Sequence, residues 1–261
     1  MAPEGTLHLV GLGHGPRGMT VDALEVLRSC TNVLLERYTS PAGEQQRQRW
    51  EALIGRPIVV LSREEVERAD VILHQARKGP TALCTAGDPL VATTHQELRL
   101  SALEAGVAVH YWPAPSVQTI VPSLLGLQQY KFGRTITLPY PAPSFSPTSP
   151  LEQAQGNIAA GLHTLVLLDL HEQEGTTMRA EQGVAQLRSM AQRLPGDPLP
   201  ATTLIAAVAR AGWPDSALAV GTQEQWEQGA IASLGETPHA LVLLGPLHFQ
   251  ERRAIDRWRA R

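Results

Sequence analysis

The sequence has few lysines, few cysteines and few aromatic residues. Its 261 residues include two lysines, two cysteines and 5% Phe, Trp and Tyr. Because Cys30 and Cys84 are the only cysteines and both lie in apolar runs, a disulfide framework is excluded. We therefore expect two buried thiols in a protein of the reducing cytoplasm.

Neither a strong charge of one sign nor a long apolar run is present. The formal net charge of -3 argues against a broad basic surface for nucleic acid. No apolar run approaches the roughly 20 residues that cross a bilayer, and the N-terminus lacks a signal-peptide pattern. The histidines show no paired spacing typical of a metal site. We expect a soluble protein without a metal, a membrane or a nucleic-acid partner.

The sequence does contain a regular alternation of short apolar runs with amphipathic stretches. This order is typical of an α/β architecture. The apolar runs predict strands over 7–12, 33–35, 57–61, 81–85, 107–112, 164–170, 203–209, 217–220 and 240–244. The periodic stretches predict helices over 20–29, 62–76, 94–105, 179–194, 223–234 and 249–259.

Two of these helices are predicted to begin with capping boxes. Ser62 with Glu65, and Thr94 with Glu97, have the spacing at which two side chains satisfy each other's backbone N–H groups. A proline-rich stretch at 138–150 lies between the two halves of the chain and excludes regular helix or interior strand. We expect it to form an ordered loop at a cleft, although a domain linker is the alternative.

The glycines that follow the first strand suggest a dinucleotide site. Gly11, Gly13 and Gly15 precede a helix, and Glu36 ends the second strand at about the position of a ribose-binding carboxylate. However, Pro16 follows the glycines and lengthens the turn. The alternatives are a glycine turn that only reverses the chain, or a ligand loop of another kind.

The most informative segment is 87–95, Gly-Asp-Pro-Leu-Val-Ala-Thr-Thr-His. It joins a strand end, a tight turn and a helix N-terminus, so it offers free backbone N–H groups and one carboxylate to a polar ligand. Asp88 precedes proline, which holds it out of the helical conformation. The alternative is that Asp88 only braces its turn.

This segment resembles the corresponding loop of the diphthine synthase family, within the tetrapyrrole methylase superfamily. Seven further segments resemble the family in the same order along the chain: 36–40 (Glu-Arg-Tyr-Thr-Ser), 114–117 (Ala-Pro-Ser-Val), 126–134, 161–169, 209–212, 238–239 and 245–249. The resemblance covers about residues 6 to 255.

The resemblance implies two α/β domains, over 1–113 and 114–261, with S-adenosylmethionine bound in the cleft between them. The cofactor contacts carried over residue by residue are His14, Asp88, Val91, Ser116, Val117, Leu168, Ala211 and His239. Without the resemblance, the four apolar members of this set would be interpreted as core residues. Ser116 would be a cap or turn residue, and His239 a hydrogen-bonded histidine at a strand end.

The resemblance also implies the reaction. The family methylates the amino group of a 3-carboxy-3-aminopropyl side chain on a histidine of translation elongation factor 2, releases S-adenosylhomocysteine, and forms homodimers. Lys131 and Arg134 would suit the carboxylate of this acceptor, or they could be solvated surface charges. The alternatives are a methyltransferase acting on a small molecule such as a tetrapyrrole, and a binding protein that has kept the fold.

The chain departs from the family in the first loop. The family reads Gly-Leu-Gly-Leu and continues to an acidic turn, whereas this chain has His14 after Gly13 and Gly18 in place of the acidic residue. Contact through the backbone tolerates such a change, so His14 stays a predicted cofactor contact. Arg17, where acidic residues are common, could change which acceptor approaches.

Overall fold

The computed structural model describes residues 5–38, 43–142, 145–171 and 176–259. The chain folds as two compact units, Met1–Val117 and Gln118–Arg261. Alternating strands and helices make up both units, in agreement with the α/β architecture predicted from the sequence. No helix in the described parts of the chain is long and apolar enough to span a membrane.

The first unit is built on a parallel five-stranded sheet. Its strands are β1 (Thr6–Gly11), β2 (Asn32–Glu36), β3 (Val59–Leu61), β4 (Thr81–Thr85) and β5 (Ala108–Trp112). They lie in the order β3-β2-β4-β1-β5, and every neighbouring pair is parallel. A parallel sheet needs cover on both faces, and two buried apolar clusters supply it.

This strand order is incompatible with the dinucleotide-binding interpretation. A Rossmann fold places its first two strands side by side, but here β4 lies between β1 and β2. Neighbouring strands are spaced about 4.8 Å apart, so Glu36 at the end of β2 lies about 10 Å from the end of β1. The glycine turn after β1 therefore serves another purpose.

Five helices connect these strands: α1 (Val21–Ser29), α2 (Glu44–Ile54), α3 (Arg63–Arg68), α4 (Asp70–Lys78) and α5 (His95–Glu104). Helix α2 was not predicted from the sequence. The prediction of one helix over 62–76 was wrong, because Ala69 adopts a left-handed conformation with φ 60° and separates α3 from α4. Both halves still face one cluster through Val66, Ala69 and Ile72.

The two predicted capping boxes have different outcomes. At α3 the box is confirmed, because Ser62 and Glu65 exchange hydrogen bonds of 3.2 and 2.8 Å. At α5 the prediction of a capping box was wrong, because the Thr94 side chain makes no capping hydrogen bond. Thr93 is engaged instead: its hydroxyl donates to the Pro89 carbonyl at 2.6 Å and accepts a 3.4 Å hydrogen bond from the His95 N–H.

The second unit is built on a mixed sheet of five strands. They are β6 (Ile136–Leu138), β7 (Thr164–Leu168), β10 (Leu204–Ala209), β11 (Ala217–Thr222) and β12 (His239–Leu243), in the order β11-β10-β12-β7-β6. Only β6 and β7 are parallel within this sheet. A short antiparallel pair, β8 (Leu170–His171) with β9 (Thr176–Thr177), follows β7.

Of the helices of this unit, the first two were not predicted from the sequence, and the other three are shorter than predicted. In chain order, the helices are α6 (Val117–Leu125, which begins at the last residue of the first unit), α7 (Ser149–Ala159), α8 (Ala180–Ala191), α9 (Gln223–Glu227) and α10 (Phe249–Ile255). The helix predicted over 223–234 was wrong beyond Glu227, because Gly229 turns the chain at φ 69°. Ile231 and Leu234 then reach the core from a non-helical segment.

The proline-rich stretch is partly helical, contrary to expectation. Helix α7 starts at Ser149 with Pro150 in its first turn, where the missing N–H costs nothing. Tyr140 packs against the core of the second unit, as expected of an ordered loop. Phe145 does not, since 55% of it is exposed. Residues 143 and 144 lie outside the described part of the chain.

Candidate functional site

Three loops converge at the carboxyl edge of the first sheet, after β1, β4 and β5. The Gly13 N–H donates to the Gly87 carbonyl at 3.2 Å, and the Gly87 N–H donates back to Gly13 at 2.9 Å. A Cβ on Gly11 would lie 2.7 Å from the Gly87 oxygen and 2.6 Å from the Ala114 Cβ. The first two loops are therefore joined backbone to backbone, and the third lies against them, at the edge where open α/β sheets place ligands.

Asp88 fixes the relative positions of two of these loops. Its Oδ1 accepts a hydrogen bond from the Leu90 N–H at 2.9 Å, and its Oδ2 accepts from the Tyr111 hydroxyl at 2.7 Å and the Ala114 N–H at 3.1 Å. The carboxylate is 6% exposed. Asp88 thus braces its own turn, and in addition it ties that turn to the segment that precedes Ser116.

The first loop, which follows β1, is packed too tightly for side chains at two of its glycines. A Cβ on Gly13 would lie 2.1 Å from the Gly18 oxygen, and one on Gly18 would lie 2.3 Å from the His14 oxygen. The acidic residue typical of the family therefore could not occupy position 18 in this conformation. The His14 ring is half-buried over Gly87, and burial lowers its pKa.

We call residues 86–94 the Asp88 loop. Within it, Ala92 has a left-handed conformation with φ 57°. Such a conformation is costly for a residue with a Cβ and is retained where the surroundings enforce it, often at ligand sites. Val91, a predicted contact, directly precedes this residue. Ser116 is buried at the end of the loop after β5, and Val117 begins α6.

Three predicted residues of the second unit share one edge of its sheet. Leu168 ends β7, His239 begins the antiparallel strand β12, and Ala211 follows the end of β10 by two residues. The register pairs His239 with Ala209 and Ala240 with Leu167. All three residues are buried.

The His239 ring is fully engaged within its own unit. Its Nδ1 accepts a hydrogen bond from the Ala180 N–H at 3.1 Å, and its Nε2 therefore carries the proton, which it donates to the Glu236 carbonyl at 3.1 Å. Burial lowers the pKa of this imidazole. His239 can therefore offer a ligand its backbone but not its ring nitrogens.

Lys131 belongs to a buried network. Its ammonium donates to Glu251 at 2.6 Å and to the Pro246 carbonyl at 2.7 Å, and Glu251 is fully buried. The prediction that Lys131 suits the acceptor carboxylate is therefore wrong, because its charge is already neutralised. The Arg134 N–H donates to the Asn157 side-chain oxygen at 3.1 Å, and the Asn157 side-chain nitrogen donates to the Arg134 carbonyl at 2.9 Å. Arg134 itself is exposed.

Sequence reasoning missed three residues that support the Asp88 loop. Tyr111 reaches Asp88 from β5, while Tyr38 and His95 meet beside the far end of the loop at 3.3 Å. The available signal was the presence of Tyr38 and His95 in two motifs that resemble the family.

Comparisons with known proteins agree with this architecture. The family model of the tetrapyrrole (corrin/porphyrin) methylases matches residues 6–226. The diphthine synthase of Methanothermobacter thermautotrophicus is 34% identical over 94% of this chain and 92% of its own length. That of Methanocorpusculum labreanum is 34% identical over 97% of this chain and 98% of its own length.

A solved structure gives the same result at the level of the fold. The crystal structure of a diphthine synthase superposes with a TM-score of 0.85 and 27% identity, covering 97% of this chain and 96% of that one. Both the sequence and the fold match over nearly the full length. The chain is therefore a methyltransferase of the tetrapyrrole methylase family, and it belongs with the diphthine synthases.

Proposed function

We propose that this enzyme transfers methyl groups from S-adenosylmethionine to the amino group of a 3-carboxy-3-aminopropyl-histidine on translation elongation factor 2. The names of its relatives and the joined loops of the first unit support this proposal. We further propose that it acts in the cytoplasm as a homodimer, the commonest closed arrangement of identical subunits.

The described residues fit this cofactor. A nucleoside with a thioether chain needs apolar walls and a few fixed polar groups. In the first unit, Val91 and Val117 offer apolar surface, while His14, Asp88 and Ser116 lie on loops that present backbone amides. In the second unit, we propose that Leu168, Ala211 and His239 contribute contacts through apolar surface and backbone.

The cofactor supplies a methyl group on a positively charged sulfur. As the acceptor nitrogen bonds to this methyl carbon, the carbon–sulfur bond breaks, and the amine must lose a proton before each further transfer. The protein's share is to align nitrogen, carbon and sulfur and to exclude water, which can contribute roughly 7–11 kcal/mol. The rigidity of the Asp88 loop is suited to alignment.

The observation that carries the proposal is the joining of the first loop to the Asp88 loop through Gly13 and Gly87. These hydrogen bonds join the two loops at the sheet edge rather than leaving them separate. The first test is calorimetric titration with S-adenosylhomocysteine of the wild type, Asp88→Ala and Ser116→Ala, with the unfolding temperature of each measured in parallel. Saturable wild-type binding that Ser116→Ala weakens without loss of stability supports the cofactor site.

A second assay tests the acceptor. Radiolabelled methyl transfer is measured to elongation factor 2 that carries the 3-carboxy-3-aminopropyl group, and to the unmodified factor as control. Methylation of the modified factor alone is the expected result. Binding of S-adenosylhomocysteine without methylation of either form would overturn the acceptor and leave a small-molecule methyltransferase, while absence of binding by the folded wild type would overturn the whole proposal.

A further inference from the structure

We propose that Tyr38 and His95 are positioning residues, which hold the Asp88 loop in the shape that binds S-adenosylmethionine. This inference rests on the proposed function, because it assigns a task within the same site. The Asp88 loop runs from the end of β4 to the start of α5, and the side chains of Asp88 and His95 both form hydrogen bonds with its backbone.

His95, the residue directly after the loop, holds it through the Pro89 carbonyl. Its Nδ1 lies 2.9 Å from this oxygen, and a carbonyl can only accept, so Nδ1 carries the proton. His95 is 1% exposed. The Thr93 hydroxyl donates to the same carbonyl at 2.6 Å. The Pro89 carbonyl is thereby linked to residues four and six positions further along the chain, so Val91 and Ala92 lie within a closed turn.

Tyr38 determines the orientation of the His95 ring. Because Nδ1 carries the proton, Nε2 is an acceptor, and the Tyr38 hydroxyl donates to it at 3.3 Å. The Thr94 hydroxyl lies 3.4 Å from the same Tyr38 oxygen, and because the Tyr38 proton is directed to His95, Thr94 is the donor of this hydrogen bond. The hydrogen bonds thus run in one direction, from Thr94 through Tyr38 to His95 and on to the loop.

The Tyr38 ring is kept in place by contacts that do not need its hydroxyl. It packs edge-on against His95 with centroids 6.1 Å apart, and the Arg63 guanidinium lies 5.7 Å from its centroid. The ring also packs against the buried cluster on one face of the first sheet. Tyr38→Phe therefore removes the hydrogen bond to His95 and the one from Thr94 but leaves the packing, so its effect reports the contribution of the hydroxyl.

The two anchors of the Asp88 loop act on different atoms. Asp88 fixes the near end through its carboxylate, whereas His95 fixes the Pro89 carbonyl. Two further hydrogen bonds are described in this stretch, from the Val91 N–H to the Asp88 carbonyl at 3.3 Å and from the Thr93 hydroxyl to the Pro89 carbonyl at 2.6 Å. Loss of the second anchor removes one of the two hydrogen bonds described for the Pro89 carbonyl and therefore loosens the part of the loop that contains the predicted contact Val91.

The test measures the dissociation constant of S-adenosylhomocysteine for Tyr38→Phe, His95→Asn, His95→Gln and the double variant Tyr38→Phe/His95→Asn. An Asn amide can replace the Nδ1 donor but not the Nε2 acceptor, and a Gln amide does the reverse. His74→Asn, an exposed histidine on α4, is the matched control. Thermal unfolding is recorded for every variant.

We expect Tyr38→Phe to weaken binding about three- to tenfold, the range expected for loss of the hydrogen bond to His95, with the protein still folded. His95→Asn should weaken it to a similar degree, and adding Tyr38→Phe should then change nothing more. His95→Gln should weaken it further, and His74→Asn should match the wild type. In the methylation assay, the KM for S-adenosylmethionine should rise more than kcat falls.

Wild-type affinity in Tyr38→Phe would overturn the positioning role, even if His95 variants fail to fold. Additive losses in the double variant would also overturn it, since they would show that the two residues act separately. Both results leave the proposed function intact. By contrast, a folded wild type that does not bind S-adenosylhomocysteine overturns the proposed function and this inference together.

Discussion

The Tyr111 hydroxyl donates a 2.7 Å hydrogen bond to Asp88 and so ties the edge strand β5 to the Asp88 loop. Tyr111 is 40% exposed, and partial burial of the phenol, together with its hydrogen bond to Asp88 and the negative charge of that carboxylate, raises its pKa from 10 to about 12. The folded chain therefore holds this proton more tightly than the unfolded chain does.

This relationship predicts a specific alkaline sensitivity. The stability that Tyr111 contributes should be complete below pH 10 and should disappear as the pH rises through about 12. Tyr111→Phe should lower the free energy of unfolding by about 1 kcal/mol at pH 8, and the difference from wild type should shrink between pH 10 and 12. Urea titrations at pH 8, 10 and 11 measure this, with the exposed Tyr130→Phe as control. A constant difference across this range would contradict the prediction.

A second prediction concerns acid. Burial would raise the pKa of Glu251, but hydrogen bonds from Lys131, Gln128, His248 and His163 outweigh it and lower the pKa from 4.5 to about 2. The stability contributed by Glu251 should therefore be complete above pH 4.5 and should be lost as the pH falls through about 2. Equilibrium unfolding followed between pH 7 and pH 2 measures the loss.

The variant Lys131→Met distinguishes the contribution of the Lys131–Glu251 ion pair from the protonation of other carboxylates at low pH. Removing one partner of a buried ion pair leaves the other charge unpaired, so we expect the free energy of unfolding to fall by about 3 kcal/mol at pH 7. The acid dependence between pH 4.5 and 2 should also become smaller. The other lysine, Lys78, is exposed at the end of α4, and Lys78→Met should stay within about 0.5 kcal/mol of wild type. Equal stability of the two variants would refute the role of the pair.

All strands of the two five-stranded sheets except the three-residue β6 were predicted from the sequence, because they are apolar runs with clear ends. The helices were harder. Helix α2 is mostly polar, and its buried stripe of Gln46, Trp50 and Ile54 contains a glutamine that weakens the apolar period. The break at Ala69 depends on packing of both flanking helices against one core, which no local pattern records.

The site could be predicted only in part, for a related reason. The motif around Asp88 locates the loop, but its three hydrogen bonds come from residues up to 26 positions away along the chain. Lys131 shows the same limit, since its partner Glu251 is 120 positions distant. Sequence reasoning could suggest which residues lie near a ligand, but the pairing of charges depends on how the strands are arranged.

The first loop provides a third prediction. Gly18→Ala would place a Cβ 2.3 Å from the His14 oxygen and 2.5 Å from its nitrogen, so the loop must shift. We expect a loss of about 1–3 kcal/mol in stability and weaker binding of S-adenosylhomocysteine. Gly156 lies in α7 with open space around its Cβ position. Gly156→Ala should raise stability by about 0.5–1 kcal/mol and leave binding unchanged. Unaltered binding in Gly18→Ala would show that the first loop does not contact the cofactor.

The fourth prediction concerns the left-handed conformation of Ala92, whose φ is 57°. This conformation costs about 1–2 kcal/mol for a residue with a Cβ. Ala92→Gly should relieve part of the cost and keep the affinity for S-adenosylhomocysteine. Ala92→Val should lower stability and affinity together, because a β-branched side chain resists this conformation most. Ala69 shares the conformation outside the site, so Ala69→Gly should leave affinity unchanged. Equal affinity of Ala92→Val and the wild type would show that the shape of the Asp88 loop does not determine binding.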